Sequence, residues 1–213
     1  MNLYFSHLSP EYKALGLPKT NGAYWYSKEL VENILPKIKT ERPFVTINLD
    51  PFCCDNAIVI IHNNIDQKGY EWLSRFKNLI CLCSKIEALC NLVEMLPKAH
   101  VVFLPMSIDT TYVKKFKAKK KTRNACYFGR LATVPNDLPK NVKILGNHDR
   151  EETLKEVAKY KTVYARGRCL LEAKCLGCKT ISTSKMTGSE DLIDNKDAIK
   201  LLQNIINEID GVK

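Results

Sequence analysis

The residues best suited to chemistry lie in Ala165-Arg166-Gly167-Arg168-Cys169-Leu170-Leu171-Glu172-Ala173-Lys174-Cys175-Leu176-Gly177-Cys178-Lys179-Thr180-Ile181. The order predicts a strand end, a glycine turn, a short helix and a second strand. A helix N-terminus offers backbone N–H donors and the positive end of the helix dipole, and Arg166 and Arg168 add forked cationic donors beside it. That combination suits a diphosphate. Glu172 lies five residues beyond Gly167, inside the helix, where it would reach a ribose attached to that diphosphate. About 40 residues earlier, Tyr127-Phe128-Gly129-Arg130-Leu131 ends another predicted strand. There Gly129 would let the backbone approach a phosphate and Arg130 would neutralise it.

These residues need a scaffold that holds strand ends and helix starts together. Short apolar runs at 2–6, 44–49, 57–62, 79–83 and 101–104 read as buried strands, with helical spacing at 23–38 and 85–96. Ser84 and Glu87 have the spacing of a capping box before the second helix. Beyond the lysine run the pattern restarts, with strands at 125–128, 142–145, 162–165 and 179–182 and helices at 150–160 and 168–176. An amphipathic segment at 197–210 closes the chain. The fold class is therefore α/β: two Rossmann-like units with mostly parallel sheets facing across a cleft. The expected division is 1–116, a basic linker at 117–123, and 124–213 including the last helix.

The chain has 213 residues, 45% of them hydrophobic, enough for a real core. Met1–His7 lacks a basic start followed by a long apolar run, so no leader is expected, and the longest apolar runs are strand-sized. Of nine cysteines, Cys81, Cys83, Cys126 and Cys169 sit within apolar strand or helix patterns, which points to reduced thiols and a cytoplasmic setting. Cys175 and Cys178 have metal or redox spacing but no second ligand pair, so a structural role is expected and no metal site. Of the net charge of +10, residues 114–123 supply seven cations; the rest of the chain holds 26 basic and 23 acidic residues. Lys114, Lys115, Lys117, Lys119, Lys120, Lys121 and Arg123 thus form one local polyanion-binding candidate, or a solvated linker. No Gly-x-Gly-x-x-Gly or phosphate-loop sequence occurs, and no Asp-x-Asp.

Taken in order, several segments resemble the two-domain GT-B glycosyltransferases, especially the large retaining family that uses nucleotide sugars. Ala57–His62 is similar to the strand ending in a cleft histidine, and Cys81–Leu92 to the strand, serine and helix that follow. Val102–Asp109 is similar to the interdomain "Val-x-Pro-Asn-Gly-Val-Asp" segment. Tyr127–Leu131 is similar to "Tyr-x-Gly-Arg-Leu", and Gly167–Ile181 to "Gly-x-x-x-x-Glu-Ala-x-x-x-Gly-x-x-Val-Ile". The resemblance covers roughly residues 55–185.

It implies that Arg130 holds the donor diphosphate and Glu172 the ribose hydroxyls, with Gly129, Gly167 and Gly22 allowing close backbone approach. It implies that His62 lines the cleft; a polar cap at a strand end is the alternative. Two positions depart from the pattern: Tyr164 stands where a glutamate often contacts the donor sugar, and Asn136 where a lysine is expected, with Lys140 nearby.

The expected activity is sugar transfer from a nucleotide sugar, UDP-linked, without a resident cofactor. Candidate bases near the acceptor hydroxyl are His62, Asp50 and Asp55, and retaining and inverting outcomes both remain open. Compact tailed-phage glycosyltransferases that modify 5-hydroxymethylcytosine in DNA share this profile, which makes phage DNA the expected acceptor. The alternatives are a peripheral membrane transferase for a surface glycan and a non-catalytic polyanion-binding protein on a decayed transferase fold.

Overall fold

The computed structural model describes residues 3–4, 29–46, 53–61, 65–129, 131, 134–145, 149–183 and 193–211. Within them the chain forms an α/β protein with two parallel sheets. The first comprises β1 (Leu3–Tyr4), β2 (Phe44–Thr46), β3 (Ile58–Ile61), β4 (Ile80–Cys83) and β5 (His100–Phe103), adjacent in chain order. The second comprises β6 (Arg123–Phe128), β7 (Lys143–Leu145), β8 (Tyr160–Ala165) and β9 (Lys179–Ser182), in the order β7-β6-β8-β9. The central strands β3 and β4 are buried at every position, which is why they read as unbroken apolar runs.

The β3-to-β4 and β4-to-β5 crossovers step the same way across the sheet, so right-handed connections put their helices on one face. Accordingly α1 (Gln67–Leu73) and α2 (Ile86–Met95) pack Tyr70, Leu73, Ala88 and Leu92 against Val59, Ile61, Cys81 and Cys83. The opposite face carries Phe44, Ile58, Ile60, Ile80 and Leu82. It is covered by Leu30, Ile34 and Leu35, from a π-helical turn (Leu30–Ile34) running into a 3-10 turn (Leu35–Lys37). The rest of the cover comes from the far end of the chain. Helix α6 (Asn195–Asp210) lays Ala198, Leu202 and Ile206 on that face. The last helix, grouped with the second unit by sequence order, thus completes the core of the first.

Side chains pin α6 along its length. Gln203 exchanges hydrogen bonds with the Lys39 backbone at 2.7 and 3.0 Å. Arg42 bonds Asp210 at 2.7 Å and the carbonyls of Asn56 and Asn78 at 3.2 and 2.8 Å.

The second sheet has its own core, in which α3 (Thr110–Lys114), α4 (Arg150–Val157) and α5 (Arg168–Cys175) meet Cys126, Phe128, Val163 and Ala165. The basic segment, read as a polyanion-binding patch or a solvated linker, is anchored at its end. Lys121 is half-buried; its Nζ donates to the carbonyls of Ala158 and Leu176 at 2.8 and 2.9 Å, where α4 and α5 end. A cation is favourable against two helix C-termini. Arg123 opens β6, bonds Glu156 and Tyr160, and lies over the Tyr160 ring.

Helices α1 and α3 were not anticipated. Each is short, seven and five residues, and begins on an aspartate cap, Asp66 or Asp109. The expected capping box of Ser84 and Glu87 is absent: α2 begins one residue later, with Lys85 at the N-cap and no side-chain cap.

Leu202→Ala should cost about 2–5 kcal/mol by opening a cavity under α6. Leu201→Ala, at a site 39% exposed, should stay within about 0.5 kcal/mol. Urea unfolding of the two variants measures the difference.

Candidate functional site

In open parallel α/β sheets, ligands bind beyond the carboxyl ends of the strands, where the winding direction reverses. Among the described strands the first sheet has no reversal. In the second, the chain passes from β6 to β7, then back across to β8, so the reversal lies between β6 and β8. The register pairs Tyr127 with Tyr164 and Phe128 with Ala165. Gly129 and Arg166 therefore leave adjacent strand ends, and the two motifs found far apart in sequence meet at the switch point.

Gly167 follows with φ 54° and ψ −135°, as the N-cap of α5. That backbone region is essentially reserved for glycine. A Cβ there would meet only Met106 Cε, at 3.6 Å, so conformation rather than space demands the glycine. Helices α1, α3, α4 and α6 are each capped by an aspartate side chain: Asp66, Asp109, Asp149 and Asp194. Helix α5 has no side-chain cap. Arg166 and Gly167 are exposed beside it. A positive helix end, an exposed guanidinium and a turn with no side chain can together receive a phosphate group.

Arg168 and Glu172 occupy a different environment. Their side chains are 7% and 5% exposed, and Glu29, from the first unit, is 6% exposed. Arg168 donates to Glu29 at 2.6 Å and to Glu172 at 3.0 Å. Arg150 donates to the same Glu172 oxygen at 2.7 Å. Glu29 also accepts from Asn33 at 2.9 Å and from Asn195, and Ser107 donates to Asn195 at 2.9 Å. The expected ribose contact is thus placed on the right helix but is held by two guanidinium groups. Burial alone would raise the Glu29 carboxyl; the charge of Arg168 and hydrogen bonds from Arg168, Asn195 and Asn33 outweigh it and hold it below 4.5. Burial would likewise lower Arg168, and the two carboxylates reverse that.

The phosphate-approach role expected of Gly129 meets an internal neighbour. A Cβ on Gly129 would lie 2.7 Å from the hydroxyl oxygen of the fully buried Tyr127, so the ring two residues back already requires glycine. Tyr164 is half-buried in β8, between Tyr127 and Ile181. Asp55 accepts the Lys77 N–H at 2.8 Å at the amino-terminal end of β3, the wrong edge for a base. His62, Asp50, Gly22 and Arg130 lie outside the described residues.

The lysine run also leads away from this site. Lys114 ends α3, Lys117 lies against Gly177 beyond the C-terminus of α5, and Lys121 reaches the ends of α4 and α5. The chain thus descends from the carboxyl edge of the second sheet to its amino-terminal edge. Lys114, Lys115, Lys117, Lys119 and Lys120 are exposed along that path. Tyr112 and Phe116, the aromatic residues beside the lysine run, are half-buried and stack edge to face at 5.3 Å.

Two hydroxyls missed by sequence reasoning stand at carboxyl edges. Among the described residues, Ser84 Oγ after β4 and Thr183 Oγ1 after β9 are buried without a hydrogen-bond partner. Buried orphans of this kind call for an explanation, and a ligand is one. Ser84 read as a helix cap, and nothing in the sequence distinguished Thr183 from its polar neighbours.

Cys53, Cys81, Cys83, Cys126, Cys175 and Cys178 are buried, and Cys90 is exposed. Burial pushes the Cys81 and Cys126 thiols up to about 12, and those of Cys53 and Cys83 up to about 11. Cys175 donates to the Thr110 carbonyl and Cys178 to that of Val157.

Replacing one partner of the buried cluster should be severe. Glu29→Gln should cost about 3–5 kcal/mol at neutral pH by leaving Arg168 undercompensated. Because the Glu29 carboxyl is depressed on folding, its contribution is complete above its ordinary value of 4.5 and is lost as pH falls through the folded value. The gap between wild type and Glu29→Gln should therefore be constant from neutral pH down to 4.5 and shrink below it, as read by urea unfolding at each pH. Gly167→Ala should cost about 1–3 kcal/mol of backbone strain, measured the same way. No protein-family model, curated protein or solved structure matches this chain.

Proposed function

We propose that this chain is a nucleotide-sugar-dependent glycosyltransferase of the GT-B type, binding its donor diphosphate at the carboxyl edge of the second sheet. The observation that carries the reading is the pairing of Tyr127 and Phe128 with Tyr164 and Ala165, which brings Gly129 and Arg166 to adjacent strand ends at the β6/β8 reversal. Arg166, the Gly167 turn and the uncapped start of α5 are the groups that would hold the diphosphate, with Arg130 as a second guanidinium. As the sugar leaves, negative charge grows on the diphosphate. Fixed donors aimed there stabilise it without reorganising, each worth roughly 3 kcal/mol of barrier. Arg168 and Glu172 act one layer behind, fixing α5 so that its N-terminus points at that charge.

The acceptor proposed from sequence, 5-hydroxymethylcytosine in DNA, rested on lysines near the cleft mouth. Those lysines lead to the opposite edge, so a DNA acceptor would have to reach the donor by another surface. A second reading, a binding protein on a transferase-like frame, is favoured by one observation: Glu172 is engaged by Arg150 and Arg168.

Incubation with a panel of radiolabelled nucleotide sugars, with hydroxymethylated and unmodified DNA as acceptors, tests the proposal. Transfer or slow donor hydrolysis is expected, falling about 100-fold in Arg166→Ala through the loss of one fixed donor to the leaving diphosphate. Absence of both activities with every donor would overturn the enzyme reading in favour of the binding protein.

A further inference from the structure

In a parallel sheet all strands begin at the same edge, so residues scattered along the chain are gathered there. In the second sheet three strands open on a cation, Arg123 on β6, Lys143 on β7 and Lys179 on β9, and β8 carries Lys161 at its second position. All four are exposed. Sequence charge counting found only the run at 114–123, because the others stand singly among apolar residues.

The register sets their spacing. Arg123 lies opposite Tyr160, Lys179 opposite Thr162, and Lys143 opposite Cys126. The cations therefore span about 14 Å across four strands and about 10 Å along them, with Arg123 and Lys179 leaving one face of the sheet and Lys143 and Lys161 the other, so that they meet only at its edge. Lys121, fixed to the Ala158 and Leu176 carbonyls, holds exposed Lys119 and Lys120 at the same edge. Glu156, an acidic residue at this edge, already pairs with Arg123 and Lys159. Lys119, Lys120, Lys143, Lys161 and Lys179 form no ion pair with a described residue.

We propose that the amino-terminal edge of the second sheet is a binding face for the phosphate backbone of a nucleic acid, at the opposite end of the unit from the donor site. Duplex DNA carries one charge per about 1.7 Å of axis with both strands counted, so a 14 Å length holds about eight phosphates, of which those on the near side face these cations. The side chains that could insert into a lipid surface are poorly placed. Tyr112 and Phe116 are half-buried under Lys115, Arg150 and Lys155. Exposed Ile144 and Ile181 lie higher on the two outermost strands, about 14 Å apart. Contact is to backbone charge alone, so the face discriminates little between sequences. It is independent of the sugar-donor reading and would hold the protein on a nucleic acid whether or not that nucleic acid is modified.

Fluorescence anisotropy with a short duplex of unmodified DNA tests this. Five lysine contacts give an expected slope of log affinity against log salt of about −4.5, a several-hundred-fold loss between about 50 and 200 mM. Combining Lys119→Gln, Lys120→Gln, Lys143→Gln, Lys161→Gln and Lys179→Gln should flatten that slope and weaken binding about 100-fold or more, with unchanged urea unfolding and unchanged nucleoside-diphosphate binding. A control substitutes Lys37, Lys39, Lys196 and Lys200 with Gln. These line a groove of about 1140 Å³ at the amino-terminal edge of the first sheet, and their loss should leave DNA binding intact. The proposal is overturned by absence of DNA binding, by wild-type binding in the five-lysine variant, or by loss only in the groove variant. Lysine-dependent binding to anionic phospholipid vesicles without DNA binding would equally overturn it, in favour of a membrane partner.

Discussion

Arg168 is an arginine buried between two carboxylates from different halves of the molecule, and the arrangement of the halves depends on it. Taken from water alone, each of these charges would cost several kcal/mol. Together with Arg150 they make a balanced set of two cations and two anions, with Asn33, Asn195 and Ser107 filling further hydrogen-bonding positions. Such a cluster contributes specificity more than stability. It is favourable only when the first helical segment, α5 and the start of α6 are all in place, so it selects one relative placement of the sheets.

The same cluster sets the geometry of the switch point. Arg168 is the first residue of α5 and Glu172 lies one turn later, so holding both fixes the axis of the helix. Gly167 must then turn the chain from β8 into that helix at a positive φ. Arg166 is left outside, exposed, beside the end of β6. Alternation of buried and exposed arginines across one glycine separates two tasks: Arg168 fixes the frame, while Arg166 remains available to a ligand. The opposite edge of the sheet is governed by a simpler constraint. Parallel strands begin together, helices end there with negative dipoles, and Lys121 neutralises two of those ends.

Most of the fold was legible because buried parallel strands are apolar throughout and stand out at any register. The strands at 57–62, 79–83, 125–128, 162–165 and 179–182 fall within one or two residues of their observed bounds. Helix α1 was hidden by its length and by Gly69 within it. The placement of α6 was hidden for a different reason: an amphipathic helix declares an apolar face but not the sheet it covers. Of the candidate site, Arg166 and Gly167 stand at a strand end as read. Glu172 was recognised as important, yet its partners Glu29 and Arg150 are distant in sequence, so its burial could not be read. The lysine run misled because charge density along a chain says nothing about which edge of a sheet it follows.

Binding of a nucleoside diphosphate at the β6/β8 reversal is tested most directly by titrating uridine diphosphate into isotopically labelled protein and following backbone amide shifts. The largest saturable shifts are expected at Gly129, Arg166, Gly167 and Cys169. Shifts confined to residues 37–43 and 196–210, or none at any concentration, would contradict it.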